Sequence, residues 1–156
     1  MGASRSSKTI KTTTGIRVTE KESRTKAKAA NYRTMKPSWN LGFLDLSYKW
    51  SFHKVVGDNV LFRDVYSKLC FYETMTWQVI LQANGGKSHG SNNHEIPIER
   101  LIPEAQKRLE ELHLNDIDSL FSLRLTGKQR VWGILDGSVL KLLWLDMNHE
   151  ICPSIK

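Results

Sequence analysis

The residues best suited to chemistry in this chain lie in its last third, within LRLTGKQRVWGILDGSVLKLLWLDMNHEICPS, residues 123–154. Arg124 and Arg130 flank a short turn that contains Lys128, so three cations can converge at one end of a hairpin. Guanidinium and ammonium groups arranged in this way can clamp a phosphodiester and stabilise the charge that builds on it during transfer. His149 follows the last apolar segment, and an imidazole can accept or donate a proton near neutral pH.

Two further residues are candidates for contacts with RNA. Trp132 should share a strand face with Arg130, and an indole ring there could stack on a base. The tryptophans at 39, 50, 77 and 144 are better explained as core residues. Lys141 is the one charged residue in an otherwise apolar segment. All of these cations also have a structural interpretation, because charged residues at strand ends commonly protect sheet edges.

Three strands should position these groups. Apolar segments at 120–125, 130–135 and 139–145 alternate in the way that predicts β-structure. Asp136-Gly137 between the last two is a strong signal for a two-residue type I′ turn, and TGKQ also indicates a turn. The C-terminal third is therefore predicted to be an antiparallel meander, with its last strand central in the sheet.

The elements before the meander follow from local patterns. They are a strand at 39–46, a helix from Asp58 to about Tyr72, a short helix at 77–82 capped by Thr76, a glycine-rich loop, an edge strand around Pro97, and a helix that begins at Pro103. The order β-α-α-β-α-β-β-β predicts an α+β domain with helices packed on one face of a curled sheet.

Composition and charge divide the chain into two parts. It has 156 residues and a formal net charge of +7, but residues 1–40 hold ten Lys or Arg against two acidic residues. The remainder has 13 basic and 14 acidic residues, so the pI alone does not indicate that the folded part binds nucleic acid. Residues 1–34 are predicted to be a disordered basic tail, either a solvated extension or a nonspecific nucleic-acid contact, and Met35 is a possible start. Residues 35–156 are predicted to form a single domain.

Other classes of protein are disfavoured. No apolar run is long enough for a membrane span and no secretory signal is present, so we expect a soluble, cytoplasmic protein without a membrane partner. Cys70 and Cys152 lack the spacing of a zinc site, and His89, His94, His113 and His149 form no metal-binding motif. GGKS lacks the spacing of a phosphate-binding loop. We therefore expect no metal and no cofactor.

Residues 119–152 resemble the C-terminal half of the RelE/ParE toxin superfamily, through a strand ending in Leu-Arg-Leu, the Arg-Val-aromatic strand, the turn at Asp-Gly, an apolar strand and a His-containing segment. Members are small α+β domains, many of which cut mRNA on the ribosome. The family arginine that contacts the scissile phosphate matches Arg130, the acid or phosphate ligand after the last strand matches His149, and Lys128 resembles the cations near the preceding turn. Two departures are an inserted strand and helix at 94–113 and Cys152 in place of a catalytic tyrosine.

The resemblance implies a toxin-like, metal-independent endoribonuclease that cleaves by 2′-hydroxyl attack. Arg130 and Lys128 would hold the phosphate, His149 would transfer a proton, and Arg124, Trp132 and Lys141 would contact RNA. The implied partners are RNA, including ribosome-bound mRNA, and a cognate antitoxin that covers the cationic edge. Relatives that act on gyrase share the fold without these groups, so a non-catalytic module that binds nucleic acid or protein, with the hairpin only as core, is the alternative.

Overall fold

The computed structural model describes residues 31–54, 61–83 and 92–153, apart from the side chains of residues 61 and 62. The predicted tail up to residue 30, the predicted cap Asp58, and residues 84–91 of the glycine-rich loop, which include His89, lie outside the described residues. The described part begins with a 3-10 turn, Tyr32–Thr34, and Tyr32 packs against the core. Residues 31–34 are therefore part of the folded unit, earlier than the predicted boundary at Met35.

A mixed five-stranded sheet forms the centre of the fold, in the order β1-β5-β4-β3-β2. The strands are β1 (Ser38–Asn40), β2 (His94–Pro97), β3 (Ser119–Arg124), β4 (Arg130–Asp136) and β5 (Val139–Asp146). β1 pairs parallel to β5, and the other neighbours are antiparallel. The predicted α+β class and the C-terminal meander are confirmed, β5 is internal as expected, and β2 with its proline lies at an edge.

The turn between β4 and β5 differs from the prediction in its type. Asp136 pairs with Val139, so the two turn residues are Gly137 and Ser138. Gly137 has φ +59°, while the described non-glycine residues with positive φ are His113 and His149. A type I′ turn requires positive φ at both central residues, whereas a type II′ turn requires it only at the first, where glycine is preferred. The hairpin is thus present, but with the pattern of a Gly-Ser type II′ turn.

The helices are short. A π-helical segment, Leu61–Tyr66, continues into α1 (Ser67–Tyr72), and Thr76 precedes α2 (Trp77–Gln82). Pro103 begins α3 (Pro103–Glu111), as expected for proline in a first helical turn. No helix in the described ranges is long and apolar enough to cross a membrane.

Helices cover both faces of the sheet, so the prediction of helices on one face was wrong. On one face α1 and α2 pack through Tyr72, Trp77 and Ile80 on strand residues such as Phe121 and Leu142. On the other face α3 packs on residues of β3, β4 and β5; the cluster includes Ala105, Leu109, Leu120, Trp132, Leu143 and Trp144. The reason is that these strands carry large apolar side chains on both faces, and each face needs a cover.

A buried ion pair fastens α3 to the loop after β1. Arg108 donates from Nε and Nη2 to the carboxylate of Asp45, at 2.8 and 2.9 Å, and the indole N–H of Trp144 donates to the same carboxylate at 3.1 Å. Burial alone would raise the pKa of Asp45, but the hydrogen bonds from Arg108 and Trp144 outweigh it and hold that pKa well below its usual range. The second face is therefore closed by a charge pair as well as by apolar packing.

Candidate functional site

Three neighbouring strands bring charged residues together at one end of the sheet. Arg124 at the end of β3 lies directly opposite Arg130 at the start of β4. On its other side Arg130 lies opposite Asp146 at the end of β5. Like charges placed directly across two strands are destabilising, so the Arg124–Arg130 pair marks a place where an anion would be stabilising.

The guanidinium of Arg130 is held by the turn that precedes it. Its Nη1 donates to the carbonyl oxygens of Thr126, Gly127 and Gln129, at 3.3, 3.0 and 2.9 Å. Nε and Nη2 make no hydrogen bond to the described residues. One edge of the guanidinium is thus fixed while the other keeps the paired N–H groups that bind phosphate oxygens in a bidentate manner.

Arg130 is partly buried, and its surroundings lower the pKa of its guanidinium. Burial lowers the pKa of Arg130, and the positive charge of Arg124 lowers it further. The negative charge of Asp146 acts in the opposite direction, but it does not outweigh the first two. The group stays protonated because the ordinary arginine pKa is far above neutrality, and the site is cationic.

Asp146 builds the loop that carries His149. The Asp146 carboxylate is fully buried and accepts three backbone hydrogen bonds: Oδ1 from the N–H of Asn148 at 3.2 Å and of Glu150 at 2.9 Å, and Oδ2 from Ile151 at 2.9 Å. These bonds wrap residues 147–151 around the carboxylate. Ile151 is itself buried in the core against α3, so both ends of the loop are anchored.

His149 sits at the crest of this loop in a left-handed conformation, with φ 62°. Non-glycine residues rarely adopt this conformation, and it persists where the surroundings impose it. Burial lowers the pKa of His149 from the ordinary 6.5, and the positive charge of Arg130 lowers it further. Its imidazole is therefore mostly neutral at pH 7 and is able to accept a proton.

Arg124 is fixed by two asparagines of the segment before β2. Its Nη1 donates to Oδ1 of Asn92 at 2.7 Å, and its backbone N–H donates to Oδ1 of Asn93 at 2.8 Å. The hydroxyl of Tyr72 donates to the Arg124 carbonyl oxygen at 2.5 Å. Burial raises the pKa of Tyr72, so this hydroxyl is a neutral hydrogen-bond donor at neutral pH. The end of β3 is thereby tied to α1.

The other predicted site residues fall in different places. Lys128 is exposed in the turn between β3 and β4, next to the carbonyls that hold Arg130. Lys141 pairs with Ile134, four residues along β4 from Arg130, or about 13 Å at roughly 3.3 Å per residue. It binds Asp136 at 3.0 Å there, so the structure does not bring it to the site.

Trp132 requires a correction. It does share a face with Arg130, but it is 0% exposed and lies in the core beneath α3. A base could stack on it only if the core opened. The prediction that Trp132 positions RNA is therefore wrong, because the sequence did not show that a helix covers this face.

Sequence reasoning missed Asp146, Tyr72 and the two asparagines. Asp146 ends a strand and is followed by Met-Asn-His, a pattern that can indicate a carboxylate accepting bonds from the next residues. Tyr72 and Asn93 had no comparable signal, because their partners lie 52 and 31 residues away.

The described residues contain no group of three or more His, Cys, Asp or Glu side chains placed to hold a metal ion. His94 lies on the edge strand and His113 follows α3, both exposed. Comparisons with protein-family models, with curated proteins and with solved structures gave no match.

Proposed function

We propose that this protein is a toxin-like, metal-independent endoribonuclease with a RelE/ParE-like fold, which cleaves RNA by 2′-hydroxyl attack. The observation that carries the proposal is the convergence of Arg124, Arg130 and His149 at one end of the sheet. Two paired cations and an imidazole with a lowered pKa supply charge stabilisation and proton transfer, which are the two requirements of this reaction.

In the proposed reaction the free edge of Arg130 binds the non-bridging oxygens of the scissile phosphate, and Lys128 adds positive charge from the turn. Neutral His149 takes the proton of the 2′-hydroxyl as the bond between O2′ and phosphorus forms. The bond between phosphorus and O5′ breaks, and the imidazolium returns the proton to O5′. The products are a 2′,3′-cyclic phosphate and a 5′-hydroxyl, so atoms and charge balance without a co-reactant.

The proposed partners follow from the same surface. The substrate is RNA, either free or as mRNA held on the ribosome. The turn between β3 and β4 and the His149 loop lie at an accessible end of the sheet, where RNA could reach them. A cognate antitoxin would cover this cationic edge and block phosphate access. Carboxylates on such a partner would satisfy the Arg124–Arg130 pair in place of a phosphate.

The test is RNA cleavage by the purified chain, on free RNA and in a translation reaction, with chelator present throughout. We expect cleavage with a 2′,3′-cyclic phosphate end and no cleavage where the nucleotide 5′ of the scissile bond is 2′-deoxy. Arg130→Ala and His149→Ala should each lower the rate by about 100-fold or more, while Lys141→Ala, a cation at the far end of the sheet, should not.

Thermal unfolding of each variant separates loss of chemistry from loss of fold. Equal cleavage by wild type and by folded Arg130→Ala and His149→Ala variants would overturn the assignment. Absence of cleavage by wild type in both reactions would favour the alternative, a module that binds nucleic acid or protein without catalysis.

A further inference from the structure

A cavity of about 490 Å³ opens beside Arg124 on the side of the sheet that α1 and α2 cover. Its apolar walls come from both helices, from the turn between them and from the residue that follows β3: Phe71, Tyr72, Met75, Val79, Ile80 and Leu125. Pockets for small ligands are commonly about 300 to 1,000 Å³. The reaction proposed above makes no use of this space.

Two of the wall residues expose apolar surface to the solvent. Phe71 and Val79 are each 50% exposed, and they border the same cavity from α1 and α2. Single exposed apolar residues are common on proteins, but two at one concave site form a platform. A phenyl ring there offers a face on which a base can stack, an interaction that every nucleobase can make.

The charge at the cavity is positive. Nζ of Lys68 lies 4.8 Å from the ring centroid of Phe71 and 5.2 Å from that of Tyr72. Arg124 contributes a second cation, and no Asp or Glu is among the described residues that line the cavity. An anionic ligand with an aromatic part complements this combination better than a neutral apolar peptide would.

Side-chain amides supply polar contacts at the same place. Asn93 is held in place, since its Oδ1 accepts from the Arg124 N–H and its Nδ2 donates to the Ile80 carbonyl at 2.9 Å. Gln82 and Asn92 also line the cavity. Amide side chains can both donate to and accept from the edges of unpaired bases.

We propose that this cavity binds one unpaired nucleobase of single-stranded RNA, adjacent to the phosphate held at Arg130. Arg124 joins the two places, because it lines the cavity and its Cα pairs with that of Arg130. The adjacency to a scissile phosphate rests on the proposed function, whereas the binding of the base does not. Phe71 is the stacking residue, and Lys68 holds the neighbouring phosphate.

The experiment measures binding of a short RNA in which every sugar is 2′-O-methylated, so that it cannot be cut by 2′-hydroxyl attack. Phe71→Leu keeps an apolar side chain but removes the ring, and Phe71→Ala removes both. Phe43→Leu is the matched control, because Phe43 is an exposed phenylalanine, 38% accessible, beside Lys141 at the far end of the sheet. Thermal unfolding confirms that each variant is folded.

We expect both Phe71 variants to bind about 5- to 150-fold more weakly, the loss that corresponds to one stacked base, and Phe43→Leu to bind like wild type. Photo-crosslinking of an oligonucleotide with 4-thiouridine should label α1 at Phe71 or Tyr72. Unchanged affinity of both Phe71 variants would overturn the inference, and it would leave the ribonuclease proposal intact. Base binding at Phe71 without cleavage of unmodified RNA would support the cavity and contradict the ribonuclease.

Discussion

Replacing Asp146 by asparagine tests the central feature of the site, the buried carboxylate that shapes the His149 loop. The variant keeps the size of the side chain but has one acceptor oxygen instead of two. In its best orientation that oxygen still accepts from Asn148 and Glu150, and the new NH₂ group then faces the N–H of Ile151. The amide NH₂ of the variant and the N–H of Ile151 would then face each other, two donors without an acceptor, at a site that excludes water.

The expected decrease in the free energy of unfolding follows from these contacts. The Ile151 N–H and the new amide N–H are each left buried without an acceptor, and each such group costs about 1 to 3 kcal/mol. We expect Asp146→Asn to lower the free energy of unfolding by about 4 kcal/mol. Since small domains have about 5 to 15 kcal/mol in total, the variant should remain mostly folded at moderate temperature.

The assay is urea unfolding followed by tryptophan fluorescence, with cleavage measured under conditions in which the variant is folded. Glu150→Gln is the matched control, because Glu150 is exposed in the same loop and, within the described ranges, its carboxylate accepts only from the Asn148 side chain, at 3.1 Å. The effect of this control on the free energy of unfolding should stay within about 0.5 kcal/mol. If the free energy of unfolding of Asp146→Asn lies within about 1 kcal/mol of that of wild type, less than the loss of a buried hydrogen bond to a charged acceptor costs, the assigned role of the carboxylate is wrong.

Three further predictions concern charge and packing. Arg130→Gln should raise the pKa of His149, because it removes a positive charge that lowers it; NMR titration of the imidazole checks this, and an equal rise in Lys141→Gln would refute the electrostatic cause. The unfolded chain binds a proton at His149 more readily than the folded chain, so the free energy of unfolding of wild type should decrease as the pH falls below 6.5 toward the lowered pKa. Urea unfolding at pH 7.5 and 5.5 measures this decrease, which should be smaller in His149→Asn. Gly133→Ala should cost about 1 to 3 kcal/mol, because its Cβ would clash with the backbone carbonyl oxygen of Lys141, whereas Gly127→Ala meets open space; equal melting temperatures for the two would contradict the packing.

The C-terminal meander was predictable because its signals are local. Alternation of apolar residues and the turn-forming residues near Gly137 lie within a few positions of the strands they define. The observed β4 and β5 each extend one residue beyond the predicted range at the C-terminal end, and β3 is shifted by one residue at both ends. The predicted type I′ turn at Asp136-Gly137 was wrong in its residues and type, since Asp136 pairs with Val139 within the sheet and the turn residues are Gly137 and Ser138.

The coverage of the sheet was decided by contacts between distant segments. Both faces of β5 are apolar, but the sequence does not state which helix covers which face. The position of α3 depends on the ion pair between Asp45 and Arg108, which are 63 positions apart in the sequence. Because α3 lies on that face, Trp132 is in the core. A residue that could have faced a ligand is instead covered by α3.

The sequence by itself determined the presence of the cationic turn, the histidine after the last strand and the order of strands and helices, because each depends on residues close together in the chain. Only the tertiary structure decided that Arg124, Arg130 and His149 share one end of the sheet and that Lys141 lies at the other. It also revealed the role of Asp146, whose partners are backbone N–H groups. Register between strands and the bonds of a buried carboxylate depend on geometry across the fold, and residue types alone do not specify them.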